Sequence, residues 1–133
     1  MNTKLLHDTL AGSMEGSITF PKVVKALSAE GVESYRADLV RREVTFYLTN
    51  GETHVVPMDF EPCPIAEDFS SAELLAAIRA SQACEQTYRE FLARAMSAGT
   101  THYQVFLAGC KCIYFGRKGE FHVEEFPVVK ERS

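Results

Sequence analysis

Residues 31–57 read GVESYRADLVRREVTFYLTNGETHVVP and decide the fold, because residues 99–125, GTTHYQVFLAGCKCIYFGRKGEFHVEE, repeat them without a gap at an offset of 68. Seven of the 27 aligned positions are identical. Ordinary composition would give roughly one or two identities by chance. The identical pairs are Gly31/Gly99, Tyr35/Tyr103, Leu39/Leu107, Gly51/Gly119, Glu52/Glu120, His54/His122 and Val55/Val123. An internal duplication explains this pattern, and a Glu-x-His motif is the one candidate chemistry that occurs twice.

Composition places the chain among ordinary globular proteins. It has 133 residues, of which 46% are hydrophobic and 24% are charged. The formal net charge of −4 argues against a nucleic-acid partner, which calls for a basic surface. No run approaches the roughly 18 apolar residues that span a bilayer, and the N-terminus lacks the apolar core of a secretory signal. We therefore expect a cytoplasmic protein with no membrane contact and with free cysteines.

Each half is predicted to hold two helices followed by three strands. The helices are indicated by apolar residues at helical spacing, by proline at a helix start and by glycine after helix ends. The strands are indicated by alternation of apolar and polar residues. The first half has helices over 2–15 and from residue 19 to Gly31, then strands over 32–40, 43–49 and 52–58. The second half has helices from residue 70 and over 85–98, then strands over 101–108, 111–115 and 120–126.

The predicted fold class is α+β, with an internal duplication of a helix-helix-strand-strand-strand unit. We expect an antiparallel sheet of about six strands with four helices on one face, since one repeat alone buries too little apolar surface. The chain is read as a single domain of two pseudo-symmetric repeats, 1–58 and 70–126, joined by the linker 59–69. The sequence leaves open whether the repeats form one continuous sheet or two packed ones.

The dipeptide Asn50-Gly51 predicts a β-hairpin with a two-residue type I′ turn, because both positions of that turn need a positive φ. This turn places Tyr47 opposite His54. By alternation along the strands, His54 and His122 then lie on the sheet face turned away from the helices.

Several segments resemble the YdfO-like proteins. They are FPKVVKAL at residues 20–27, Gly31-Val32 followed by Tyr35 and Asp38, and the aromatic strand that runs into Asn50-Gly51. The resemblance covers nearly the whole chain. It implies a bacterial family of about this length, often carried in prophages and sometimes labelled phage envelope protein. It implies no activity, substrate or catalytic residue.

The sheet face turned away from the helices is predicted to be half apolar, so a partner subunit, the C-terminal tail or a ligand must cover it. Its candidate ligand-binding or interaction residues are Tyr47, Glu52, His54, His102, Phe115, Glu120, His122 and Glu124. The histidines and glutamates could serve as metal ligands or as an acid–base set near neutral pH. Alternatively, the two repeated histidines are inherited strand positions that stack on Tyr47 and Phe115.

The cysteines give no stronger motif. Cys110-Lys111-Cys112 is neither a redox Cys-x-x-Cys nor half of a zinc site, so buried free thiols are favoured. Glu-x-His likewise matches no established metal motif. No catalytic residue and no cofactor is predicted, and the metal question stays open.

Two functional hypotheses follow. The first is a non-enzymatic binding protein that pairs with a second copy or another protein through the uncovered sheet face. The second is a metal-binding protein or small enzyme that uses the histidine and glutamate candidates on that face.

Overall fold

A computed structural model describes residues 1–126; the remaining residues, 127–133, include the C-terminal tail that the sequence offers as a cover for the sheet, and they lie outside the described part. The element order is helix-helix-strand-strand-strand, twice. The elements are α1 (Thr3–Glu15), α2 (Phe20–Ala29), β1 (Val32–Asp38), β2 (Glu43–Leu48), β3 (Thr53–Pro57), α3 (Ser71–Gln82), α4 (Tyr88–Ser97), β4 (Thr100–Phe106), β5 (Lys111–Gly116) and β6 (Phe121–Glu125).

The six strands form one antiparallel sheet in the order β3-β2-β1-β4-β5-β6. The repeats meet where β1 pairs with β4, and Arg36 stands opposite Gln104 at that junction. Every strand of the second half, and α4, begins and ends 68 residues after its counterpart. The duplicated architecture is therefore confirmed. The two repeats form one continuous sheet rather than two packed ones.

Side-chain capping fixes three of the helix starts. Asn2 accepts a hydrogen bond from the backbone N–H of Leu5, and Ser70 accepts one from that of Glu73. At α4 the Thr87 hydroxyl accepts a hydrogen bond from the backbone N–H of Glu90. The Glu90 carboxylate accepts one from the backbone N–H of Thr87, which completes a capping box. Such caps satisfy donors that have no partner inside the helix.

The core lies between the sheet and the helices. It combines alternate strand residues, such as Val44 and Val105, with the apolar stripes of the helices, such as Leu6, Leu27 and Leu74. All of these side chains are fully or almost fully buried. Burial of this kind stabilises the fold by about 25 cal/mol per Å² of apolar surface removed from water.

The predicted hairpin register is wrong by one residue. Phe46, not Tyr47, stands opposite His54, and Tyr47 stands opposite Thr53. The turn is a three-residue loop, Thr49 to Gly51, closed by a hydrogen bond from the Leu48 N–H to the Glu52 carbonyl. Only Gly51 in this loop has a positive φ, of 91°. This is the alternative hairpin geometry that ends in a left-handed glycine, and a one-residue slip moves each following side chain to the other face.

The second hairpin repeats this geometry. Tyr114 stands opposite His122, the Gly116 N–H donates to the Glu120 carbonyl, and Gly119 has a φ of 84°. Both histidines of the repeat therefore share a face with core aromatic residues.

Among residues 1–126, no helix is both long and apolar enough to cross a membrane.

Candidate functional site

The register separates the predicted site residues into two groups. His54, His122 and Glu124 lie on the helix side of the sheet, on its two edge strands. Their predicted place on the opposite face is therefore wrong. Five strand spacings of about 4.8 Å put the two edges roughly 24 Å apart. The structure consequently does not gather the two repeated histidines into one pocket.

On β3, His54 meets a residue that the sequence pattern did not reveal. Its Nε2 lies 3.0 Å from the Nε2 of His7, which is exposed on α1. The ring centroids are 5.2 Å apart and the planes are inclined by 61°. One ring must donate its N–H and the other must accept, so the two imidazoles hold opposite tautomers at this contact.

On β6, the equivalent His122 has a different neighbourhood. Its Nε2 lies 3.4 Å from Glu124 Oε1, and Arg79 of α3 donates to Glu124 Oε2 at 2.6 Å. At the offset of 68, Leu75 replaces His7 and Glu124 replaces Val56. The duplicated histidine has therefore kept its place and changed its partners.

The Glu124 carboxylate is held in its charged form. Its side chain is only 13% exposed, and this burial works to raise its pKa. The hydrogen bonds from Arg79 and His122 outweigh the burial, so the pKa of Glu124 lies below its ordinary value. This arrangement is a docked ion pair between α3 and the edge strand.

The remaining two glutamates belong to the hairpin turns. Glu52 Oε1 accepts a hydrogen bond from the Asn50 side chain at 2.7 Å. Glu120 Oε1 accepts one from the Lys118 backbone N–H at 2.9 Å. Both carboxylates therefore stabilise their own turns.

The other sheet face, called the open face below, is covered by no helix of the described chain. It takes three residues from each strand, and each row of six crosses the whole sheet. The rows are Thr53, Tyr47, Ser34, Phe106, Lys111, Glu125; Val55, Thr45, Arg36, Gln104, Ile113, Val123; and Pro57, Glu43, Asp38, His102, Phe115, Phe121. The predicted residues Tyr47, His102 and Phe115 do lie here.

Apolar side chains concentrate on the second half of the open face. We define the β4–β6 patch as Phe106, Ile113, Phe115, Phe121 and Val123. Phe121 is 64% exposed and Val123 is 42% exposed. Contiguous exposed apolar surface of this kind is uncommon on a monomer and typically marks an interaction site.

His102 borders this patch and is stacked on Phe115, with ring centroids 4.6 Å apart and planes inclined by 13°. Burial, with a smaller contribution from Arg36, holds the pKa of His102 below its ordinary value, and Asp38 opposes this shift. The neutral imidazole is therefore favoured on the open face.

Buried hydroxyl and thiol groups gather on the helix side of the sheet. The Tyr88 and Tyr103 hydroxyls share a hydrogen bond, and burial raises the pKa of the Cys112 thiol to about 12. A protonated thiol of this kind is a poor nucleophile. The neighbouring cavity between α1, α2 and the sheet measures about 80 Å³. Ligand pockets usually exceed about 300 Å³, so this space is too small for one.

Within residues 1–126, no three histidine, cysteine, aspartate or glutamate side chains come together as a metal site. The four cysteines, all in this part of the chain, are free thiols, but Cys112 alone is buried, so the expected burial is wrong for the exposed Cys63 and Cys84. Two close pairs of potential metal-ligating side chains occur in this part of the chain, His7 with His54 and His122 with Glu124, and only the first is free of an arginine partner.

Fold and site together define a small α+β protein made of a duplicated helix-helix-strand-strand-strand unit, with one sheet face left uncovered by the described helices. Residues 4–125 match the family described as protein of unknown function (DUF1398), and the chain belongs to that family.

The chain is also similar to two mycobacterial proteins, named uncharacterized protein Rv2012 in Mycobacterium tuberculosis and uncharacterized protein Mb2035 in Mycobacterium bovis. Each is 37% identical over 62 residues. The match covers 47% of this chain and only 38% of the length of either relative.

Proposed function

We propose that this protein is a non-enzymatic interaction module that pairs its open face with the open face of a second copy. The observation that carries this proposal is the β4–β6 patch, which leaves Phe121 and Val123 exposed and Phe106, Ile113 and Phe115 half-buried on the sheet face that no described helix covers. Sheets that face water on one side normally carry polar residues there, so an aromatic face calls for a cover.

The size of the open face suits a homodimer. Six strands spaced about 4.8 Å apart and about six residues long define a plane of roughly 500 Å², and side-chain relief raises the accessible area above that. A standard interface buries about 800 Å² on each partner. A second copy that covers nearly the whole face therefore buries an area of the required order.

Charge on the open face favours a like partner. The face carries two cationic side chains, Arg36 and Lys111, and the carboxylates Asp38, Glu43 and Glu125. Lys111 stands directly opposite Glu125. These charges nearly cancel, whereas the whole chain has a net charge of −4. Two copies can thus approach through this face with little like-charge repulsion.

The last described residue does not contribute to the open face. Phe126, the last described residue, packs against Phe20 of α2, with ring centroids 5.3 Å apart. Phe126 therefore lies on the helix side of the sheet, away from the open face.

Light scattering coupled to size exclusion, over a concentration series, tests the proposal. We expect a concentration-dependent dimer for the wild type and a monomer for Phe121→Glu, because a buried unpaired carboxylate opposes association. The matched control is Val40→Glu. Val40 is similarly exposed, at 61%, but lies in the turn after β1. A wild type that stays monomeric, or a Val40→Glu variant that dissociates equally, would contradict the proposal.

The finer attributions from sequence remain proposals. They are membership of the YdfO-like group and a prophage origin, which FPKVVKAL at residues 20–27 and the strand that runs into Asn50-Gly51 support, and a cytoplasmic location. The alternative metal or enzyme function on the open face has less support, because His54 and His122 lie on the other side of the sheet.

A further inference from the structure

The His7–His54 contact has the features of a metal-binding pair. The two Nε2 atoms are 3.0 Å apart, His7 is exposed and His54 is half-buried. α1 packs against β3, so both rings are presented by regular elements rather than by loops. Elements of this kind hold ligands more firmly than loops do.

The spacing suits one shared ion. An ion about 2.1 Å from each of two nitrogens 3.0 Å apart would see them at roughly a right angle, which is the tetragonal or octahedral arrangement of Cu²⁺ and Ni²⁺. A separation of about 3.4 Å would give the tetrahedral angle of Zn²⁺. The rings now meet tip to tip, so each ring must turn by about 45° to direct its Nε2 lone pair at a common ion in the right-angled arrangement.

We propose that His7 and His54 form a divalent transition-metal site at the α1–β3 edge of the sheet, with the remaining coordination positions open to water or an external ligand. Both imidazoles bind the ion as neutral rings through Nε2. The ring that donates the present hydrogen bond moves its proton to Nδ1, so the exchange needs no net proton release. The site lies on the helix side, so it is independent of pairing through the open face.

The test is a calorimetric titration of tag-free protein with Ni²⁺ alone and with Zn²⁺ alone. It uses the Cys63→Ser/Cys84→Ser background, which removes the two exposed thiols as competing ligands. We expect saturable binding of one ion per chain. His7→Ala should weaken it by roughly a hundredfold, because the second ligand no longer adds its effective concentration. His7 is exposed on a helix, where alanine is well tolerated, so this variant keeps its fold.

Two further measurements decide between this site and adventitious binding. His122→Ala, at the equivalent position of the second repeat, should retain the full affinity, and His54→Ala should lose it. In NMR spectra of the imidazoles, the signals of His7 and His54 should shift on saturation while those of His102 and His122 stay. No saturable binding by the wild type, equal affinity in His7→Ala, or shifts confined to His102 and His122 would overturn the proposal.

Discussion

At the scale of single residues, Glu124 shows how one carboxylate can fix a helix to an edge strand. Its oxygens bind Arg79 and His122 while its side chain is largely buried. A carboxylate in this setting is stabilised only while it is charged and paired. The ion pair should therefore be a pH-dependent part of stability.

We predict that Glu124→Gln lowers the free energy of unfolding by about 0.5–1 kcal/mol near pH 7, a value discounted because Arg79 is 54% exposed. Since the pKa of Glu124 is below its ordinary value in the folded state, its contribution is present above the unfolded pKa of about 4.3 and is lost as pH falls through the folded pKa. Urea unfolding should show the difference from wild type shrinking as the pH falls below about 4.3.

Asp68→Asn provides the matched control. Asp68 pairs with Lys118 at 3.3 Å, but both side chains are mostly exposed. Its removal should leave the free energy of unfolding nearly unchanged. A Glu124→Gln effect as small as that of Asp68→Asn would show that the Arg79 pair does not stabilise the fold.

At the scale of elements, the two hairpins determine which residues face the helices. Gly51 and Gly119 have positive φ values, and an added Cβ would meet nothing within 4 Å at either position. The cost of Gly51→Ala is therefore backbone strain alone, and we expect about 1 kcal/mol of destabilisation. Gly51→Asn should recover part of it, because asparagine tolerates the left-handed region. Chemical denaturation of the wild type, Gly51→Ala and Gly51→Asn measures their free energies of unfolding, which should rank wild type above Gly51→Asn above Gly51→Ala.

Asn50→Ala checks the turn type. Asn50 has a negative φ in the three-residue loop, so alanine causes no backbone strain there. The variant should lose only the hydrogen bonds that the Asn50 side chain makes with Glu52. In a type I′ turn, alanine at position 50 would instead suffer the same strain as at position 51. If Asn50→Ala and Gly51→Ala lowered the free energy of unfolding equally, the result would support the two-residue turn instead.

The elements were predictable and the register was not, for a physical reason. Helix and strand periodicity is local, and the duplication supplies each element twice, so the element order and the six strands follow from sequence. Asn50-Gly51 is compatible with two hairpin loops that differ by one residue, and the choice moves His54 from one sheet face to the other. His7 lies 47 residues before His54, and no local pattern connects them.

At the scale of the whole molecule, duplication supplied a symmetric scaffold on which the two halves diverged. Paired positions on the open face include Thr45 with Ile113 and Thr53 with Phe121, so the apolar surface belongs mainly to the second half. On the helix side, the same divergence gave His54 a histidine partner and placed Glu124 beside His122. Each repeat has thus acquired features of its own within one sheet.

The proposed homodimer should weaken in acid through His102. This residue stacks on Phe115, stands opposite Asp38 and lies near Arg36, and its pKa is already below the ordinary value. A second copy over the open face buries it further, so the dimer binds fewer protons than two monomers. Association is then complete well above the pKa of His102 in the monomer, which lies below the ordinary histidine value of about 6.5, and weakens as pH falls through it.

We expect the Kd of the dimer to rise as the pH falls from about 7.5 to about 5.5, a range above the titration of ordinary carboxylates. Sedimentation equilibrium across this range measures it. His102→Gln should associate with little pH dependence, because glutamine keeps a polar, uncharged side chain at this position. His122→Gln, altered on the helix side, should retain the wild-type dependence. An unchanged pH profile in His102→Gln would assign the effect to another group, whereas a monomer at every pH would instead refute the dimer itself.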